Sequence, residues 1–141
     1  MSGRVFFHTR KHVQSLVADY QALDSDSNSV FCLNAAAGLT LTLPAVADAG
    51  EGWNCEVIVT TVTTSNNYII TEKTASDTNK ILSLMSILEI DTNDDGLTNT
   101  GHTTITFEGT PALGDHVRIT CDGSKWYAVG LGVSDDFVAL A

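Results

Sequence analysis

Hydrophobic and polar residues alternate along much of this chain with a period of two, the spacing at which successive side chains face opposite sides of a β-strand. Leu39-Thr40-Leu41-Thr42-Leu43 keeps the alternation strictly and is stopped by Pro44. Trp53, Cys55, Val57 and Val59 alternate with Asn54, Glu56, Ile58 and Thr60, which predicts a strand covered more on one face than the other. Thr104-Ile105-Thr106-Phe107-Glu108 repeats the pattern, and His116-Val117-Arg118-Ile119-Thr120-Cys121 sets His116, Arg118 and Thr120 on one side. Eighteen Thr residues, many beside Val, Ile or Leu, strengthen the strand reading, because β-branched side chains fit a pleated, half-buried surface. Turn signals separate the runs: Ala37-Gly38, Ser65-Asn66-Asn67, Asp94-Asp95-Gly96, Gly114-Asp115 and Asp122-Gly123. Short strands at this spacing predict an all-β fold, an antiparallel sandwich, jelly-roll-like unit or small barrel.

Two stretches read differently. Asp122-Gly123-Ser124-Lys125 joins two strand-like runs and predicts a tight hairpin, since Asp-Gly reaches positive φ at little cost. Ile81, Leu84, Met85 and Leu88 have helical spacing, while Leu82, Leu84, Leu88 and Ile90 fit a strand interrupted by Ser86; the C-terminal half is read as strand and the rest stays open. Near the N-terminus Val13, Leu16, Val17, Tyr20 and Leu23 fall on one face of a short amphipathic helix. The polar run Asp24–Ser29 follows, so the chain divides into an N-terminal arm (1–23), a β domain (24–132) and a C-terminal tail (133–141) whose Phe137, Val138 and Leu140 are unusually apolar.

Length and composition narrow the class. The 141 residues suit one domain, and 43% hydrophobic against 17% charged residues excludes intrinsic disorder. No apolar run is long enough to span a bilayer, and the first residues lack the apolar core of a secretion signal, so a protein made in the cytoplasm is expected. Seven Lys and Arg stand against 17 Asp and Glu, a net charge of −10, which argues against nucleic-acid or anionic-membrane partners. The charge is uneven: Arg4, Arg10 and Lys11 give the first twelve residues +3 and leave −13 on the rest. A basic end on an acidic body serves either as a tether for an acidic partner or simply as a solvated terminus. Cys32, Cys55 and Cys121 lie in apolar runs without any CxxC pair, so they read as reduced core residues, with a disulfide as the lesser alternative.

Little in the chain points to chemistry. Asp91-Thr92-Asn93-Asp94-Asp95-Gly96 matches the start of a calcium loop, but its twelfth position is His102 where a bidentate Glu belongs; the run reads as an acidic turn, and no metal is expected. His8, His12, His102 and His116 have no nucleophile motif around them, and Gly130-Leu131-Gly132 lacks the rest of a dinucleotide fingerprint. Neither an enzyme nor a cofactor is expected. Trp126 and Tyr127 are neighbours on one strand and face opposite ways, so one belongs to the core; core packing or a subunit contact is the reading for Trp53 and Trp126.

The run from Asp24 to Pro44, DSDSNSVFCLNAAAGLTLTLP, resembles a strand–Gly–strand–Leu-Pro signature of small β domains in tailed-phage virion proteins. Gly52-Trp53 opening a long strand, Gly114-Asp115 before another, and the closing Asp122–Trp126 hairpin follow in the same order, so the resemblance spans roughly residues 24–132. It implies a trimeric β-sandwich with structural roles for Gly38 and Gly123 in turns, Pro44 as a strand stop, and Trp53 and Trp126 in packing. It further implies a capsid decoration (cement) protein on the outer surface of the virion, a homotrimer that bridges major capsid proteins to stabilise the mature head. Arg4, Arg10 and Lys11 would then reach acidic capsid surface, with Phe6, Phe7 and Leu16 as apolar anchors. The alternative is a tail-fibre or spike module recognising host glycan or protein through loops such as Ser65–Asn67 or Asp91–Gly101. A small calcium-dependent carbohydrate-binding module using the acidic loop is a further rival.

Overall fold

In the computed structural model the period-two segments are strands with one buried face, described over residues 10–73, 77–88, 97–108, 111–133 and 139–141. Twelve strands form: β1 (His12–Leu16), β2 (Tyr20–Gln21), β3 (Ser29–Leu33), β4 (Leu39–Thr42), β5 (Glu51–Val59), β6 (Tyr68–Thr71), β7 (Ile81–Ile87), β8 (Leu97–His102), β9 (Thr104–Phe107), β10 (His116–Asp122), β11 (Trp126–Gly132) and β12 (Ala139–Leu140). One short helix, α1 (Val46–Ala49), and a single 3₁₀ turn at Asp24–Asp26 complete the described elements. Among these residues no helix is long and apolar enough to cross a membrane.

The strands make a seven-stranded sheet, β1-β3-β5-β10-β11-β7-β8, and a five-stranded sheet, β12-β9-β6-β4-β2. The inner faces of both contribute to one apolar core, including Phe31, Leu41, Val57, Ile70, Ile105 and Trp126. This is the expected all-β sandwich, with one correction. The expectation was antiparallel, but β1–β3, β3–β5, β2–β4, β4–β6 and β7–β11 pair in parallel. The first six strands alternate between the sheets, odd ones in the larger and even ones in the smaller. Parallel neighbours need a long crossover, usually a helix; here the opposite sheet's strand is that crossover. Only from β7 onward do antiparallel pairs dominate, with β10–β11 the expected Asp-Gly hairpin.

The helix expected from Val13 to Leu23 is absent. His12–Leu16 is an edge strand beside β3, and the chain then passes to the smaller sheet as β2. Val13 and Val17 point to solvent while Leu16 is buried, so these residues do not share an apolar face. Parallel pairing supplies the backbone partners that a marginal short helix would have had to find within itself. The sheets thus begin inside the stretch expected to be an arm, and β12 likewise draws the end of the expected tail onto β9. Ile81–Ile87 is a strand from its first residue, whereas the sequence supported only its C-terminal half.

Several small features hold the layers in place. Trp53 and Trp126 meet edge to face with ring centres 5.4 Å apart, and the Trp53 indole N–H lies 3.1 Å from both the Leu23 and Asp24 carbonyls. The buried Tyr68 hydroxyl accepts from the Ala35 N–H (3.0 Å) and reaches the Thr61 carbonyl (2.7 Å), tying β6 to the chain leaving β3. Asp115 accepts from the Ala112 N–H (2.8 Å) and the Val133 N–H (3.1 Å), which explains the Gly-Asp pair before β10. Asp122 accepts from the Ser124 and Lys125 N–H groups, both at 2.7 Å, closing the hairpin; these bonds hold its carboxyl below the usual range. Pro44 is buried just past β4, where its missing N–H ends the ladder. Cys55 and Cys121 are buried free thiols whose pKa burial raises, and Cys32 is half-buried and also free.

Glycine is required for two separate reasons. Gly38 has φ +78°, and a Cβ there would sit 2.6 Å from the Asn67 carbonyl oxygen. Gly130 lies in a regular strand, yet a Cβ would fall 2.4 Å from Met85 Sδ, so the missing side chain makes room for Met85 in the core. Gly123 has φ +92° but its added Cβ would meet nothing nearer than 3.6 Å. Gly123→Ala should therefore cost only the left-handed backbone penalty, about 1–2 kcal/mol. Gly38→Ala should cost clearly more, and urea denaturation of the two variants checks that order.

Candidate functional site

Of the residues expected to grip a partner, Arg10 and Lys11 lie at one edge of the larger sheet. Arg10 and Lys11 are exposed and lead into β1, an edge strand whose outer backbone has no partner strand among the described residues. Such an edge offers free N–H and C=O groups to another chain. Lys11 Nζ lies 3.4 Å from Glu56 Oε2, and Glu56 belongs to β5, two strands away across the outer face. The pair is solvent-screened and contributes little stability, but it sets the side of the sheet toward which Lys11 turns. Arg4, Phe6 and Phe7 lie outside the described residues.

Leu16 is a correction. It is 3% exposed and packs in the core between the sheets, so it is a structural residue and is not available as an anchor for a partner. Strand alternation explains this: with Val13 and Val17 outward, the inward positions of this segment include Leu16. Gly38, Pro44, Trp53, Gly123 and Trp126 occupy the turn, strand-stop and packing positions described above.

Two surface hollows sit among loops. One, about 530 Å³, is lined by Asp19, Gly38, Thr40, Ser65, Asn66 and Asn67. Asp19 Oδ1 accepts from the Thr40 N–H (2.7 Å) and Asn66 Nδ2 donates to the Ala37 carbonyl (3.0 Å), so its polar rim is held by backbone bonds. The other, about 480 Å³, lies between Gln21–Asp24 and Pro44–Asp48, with Lys73 beside it. The Asp91–Gly96 run lies outside the described residues, and among those described no group of three or more His, Cys, Asp or Glu could hold a metal.

One polar pair was not anticipated. Ser83 Oγ lies 2.6 Å from His102 Nε2, and His102 Nδ1 lies 3.0 Å from the Thr104 carbonyl. A carbonyl can only accept, so Nδ1 carries the proton and Nε2 accepts from the serine hydroxyl. This is the arrangement of a nucleophile, its base and an orienting group. Ser83 is 8% exposed and His102 1%, however, so the pair is sealed in the sheet interior, where each group satisfies the other. The residues are 19 positions apart and meet only through the β7–β8 pairing, so nothing local in the sequence signals them. A second buried polar group ties the loop before β7 to the body. Asp77 accepts from the Val46 N–H (2.8 Å) and pairs with Lys80 (2.8 Å), while Glu72 accepts from the Lys80 N–H.

No family model, no curated protein and no solved structure matches the chain.

Replacing Leu16 by Ala should lower the unfolding free energy by about 2–5 kcal/mol, the cost of a core cavity; an unchanged denaturation midpoint would return Leu16 to the surface. His102 gives a pH signature. Burial holds its imidazole below the usual 6.5, with the Thr104 carbonyl pulling partly back. The unfolded chain therefore binds the proton more readily than the folded one. The contribution is complete above about pH 6.5 and is lost progressively as pH falls below it. His102→Gln should flatten the fall in melting temperature between pH 7 and pH 5, as read by calorimetry.

Proposed function

We propose that this chain is a structural protein of a tailed-phage virion, a capsid decoration protein. In this reading it forms a homotrimer on the outer surface of the shell and bridges major capsid proteins, stabilising the mature head. The observation that carries the reading is the placement of charge. Arg10 and Lys11, which follow Arg4, Phe6 and Phe7 in the sequence, enter at a sheet edge that has no partner strand among the described residues, on a body that is otherwise strongly acidic. Cations at such an edge suit attachment to an acidic protein surface, whereas the acidic body disfavours DNA and anionic lipid. The phage-domain signature from Asp24 to Pro44 adds independent support.

The mechanism is mechanical. Each copy makes a modest contact, and three linked copies convert the second and third contacts into intramolecular events of high effective concentration. A ligand that binds only the assembled shell stabilises it by mass action. The two-sheet core gives each copy the stiffness to transmit load between the proteins it bridges.

A second reading has its own observation. The polar hollow at Asp19, Thr40 and Ser65–Asn67 has the size of a small-ligand cleft and supports a tail-fibre module that recognises host glycan or protein.

Quantitative mass spectrometry of purified particles separates the two. The capsid reading expects hundreds of copies per virion and the fibre reading a few dozen or fewer. Deletion of residues 2–9 combined with Arg10→Ala and Lys11→Ala, which leaves β1 and Leu16 intact, should abolish capsid occupancy. Undiminished occupancy would remove the basic stretch from the mechanism.

A further inference from the structure

The short strand β12 leads into a cluster of hydrogen-bond donors. The Ala141 oxygen receives the N–H groups of Thr103 (2.6 Å) and Thr104 (2.7 Å), and both threonine hydroxyls, at 3.0 and 3.3 Å. A neutral peptide carbonyl has two lone pairs and is satisfied by one or two donors. Four donors on a single oxygen match an anionic one, for which every bond is charge-assisted. Successive N–H groups turned toward one point also form the kind of concavity that binds anions.

The donors are fixed from behind. The Thr103 carbonyl and the Thr104 N–H belong to one planar peptide group, and that carbonyl accepts from the Glu72 N–H (3.0 Å) and the Thr71 hydroxyl (3.5 Å). Holding the carbonyl therefore aims the N–H. The Thr104 carbonyl lies 3.0 Å from Nδ1 of the buried His102 and also accepts the Ala141 N–H at 3.1 Å. Groups tied to the body in this way are oriented without help from β12 itself.

The side chains of β12 add a second requirement. The strand runs antiparallel to β9, with Leu140 beside Ile105 and Ala139 beside Thr106. Leu140 is half-buried and packs against the shared core, whereas Ala141 is exposed. Main-chain pairing with β9 supplies affinity, and one aliphatic side chain next to the anchored residue supplies selectivity.

From this we infer that the edge of β9, together with Thr103 and Thr104, is a receptor for an extended apolar peptide ending in a carboxylate, and that the segment Ala139–Ala141 of this chain is its occupant. The inference goes beyond the capsid reading and does not rest on it. Release of the segment would leave β9 as the edge of the smaller sheet, with its N–H and C=O groups open to another strand. That attachment edge differs chemically from the basic one at β1, because it selects a peptide end and not an acidic surface.

The 141-residue chain is compared with the same chain extended by Gly-Ser-Gly after Ala141, which makes the seated group a peptide carbonyl. Amide exchange at Thr103 and Thr104, followed by NMR, should be about tenfold faster in the extended chain, the difference between charge-assisted and neutral hydrogen bonds. A labelled peptide of residues 137–141 with a free carboxylate should bind the extended chain about tenfold more tightly than its carboxamide, as read by fluorescence anisotropy. The same two peptides in excess repeat the comparison on the unmodified chain. Unchanged exchange in the extended chain, or a carboxylate peptide bound no more tightly than its carboxamide, would overturn the assignment. Neither readout involves a capsid, so failure of this site and failure of the decoration reading give different results.

Discussion

A strand side chain can face only two ways, and here both sheets must present their apolar faces to a single shared core. A slip of one residue in any inner strand would carry its whole buried set to the outside. The Trp53–Trp126 contact and the Tyr68 hydroxyl hold the register at two places where strands from different parts of the chain meet. Gly38 and Gly130 are consequences of the same requirement, each removing a side chain where backbone or Met85 must come close. The resulting body is closely packed and therefore stiff.

The order in which strands enter the sheets decides which surfaces the larger sheet presents. The first three pairs of strands wind between the layers, so β1 is left at an edge with no partner strand among the described residues, together with Arg10 and Lys11. The later strands fold back in mostly antiparallel fashion and place β7 and β11 toward the opposite side, where Leu84, Tyr127 and Val129 are exposed. Two chemically distinct surfaces therefore lie on one sheet, one basic and one apolar, separated by the charged and polar middle around Glu56 and Arg118. The polar loop hollow near Asn66 belongs to neither surface and supports the alternative of ligand recognition.

Buried polarity is used sparingly and for attachment. Asp115 and Asp77 accept backbone N–H groups from loops that would otherwise end unsatisfied inside the protein. Ser83 and His102 do the same for one another, which makes a geometry familiar from catalysis a feature of core packing. Distance alone therefore identifies a candidate nucleophile poorly; its exposure must also be considered.

The sequence alone determined the fold class, because period two and β-branched residues are properties of each strand by itself. It also determined the Asp122–Gly123 hairpin and the opposed faces of Trp126 and Tyr127, since these depend on residues close in the chain. Strand direction was not legible: alternation looks the same in a parallel and an antiparallel pair, and only the crossing between sheets made half of the pairs parallel. The segment from Val13 to Leu23 misled for a related reason, since its helical spacing was genuine but β3 offered a backbone partner that no local pattern announces. Leu16 looked like an anchor and became core. Which face of a strand is inside depends on what fills the other side, and that is decided only when distant strands are brought together.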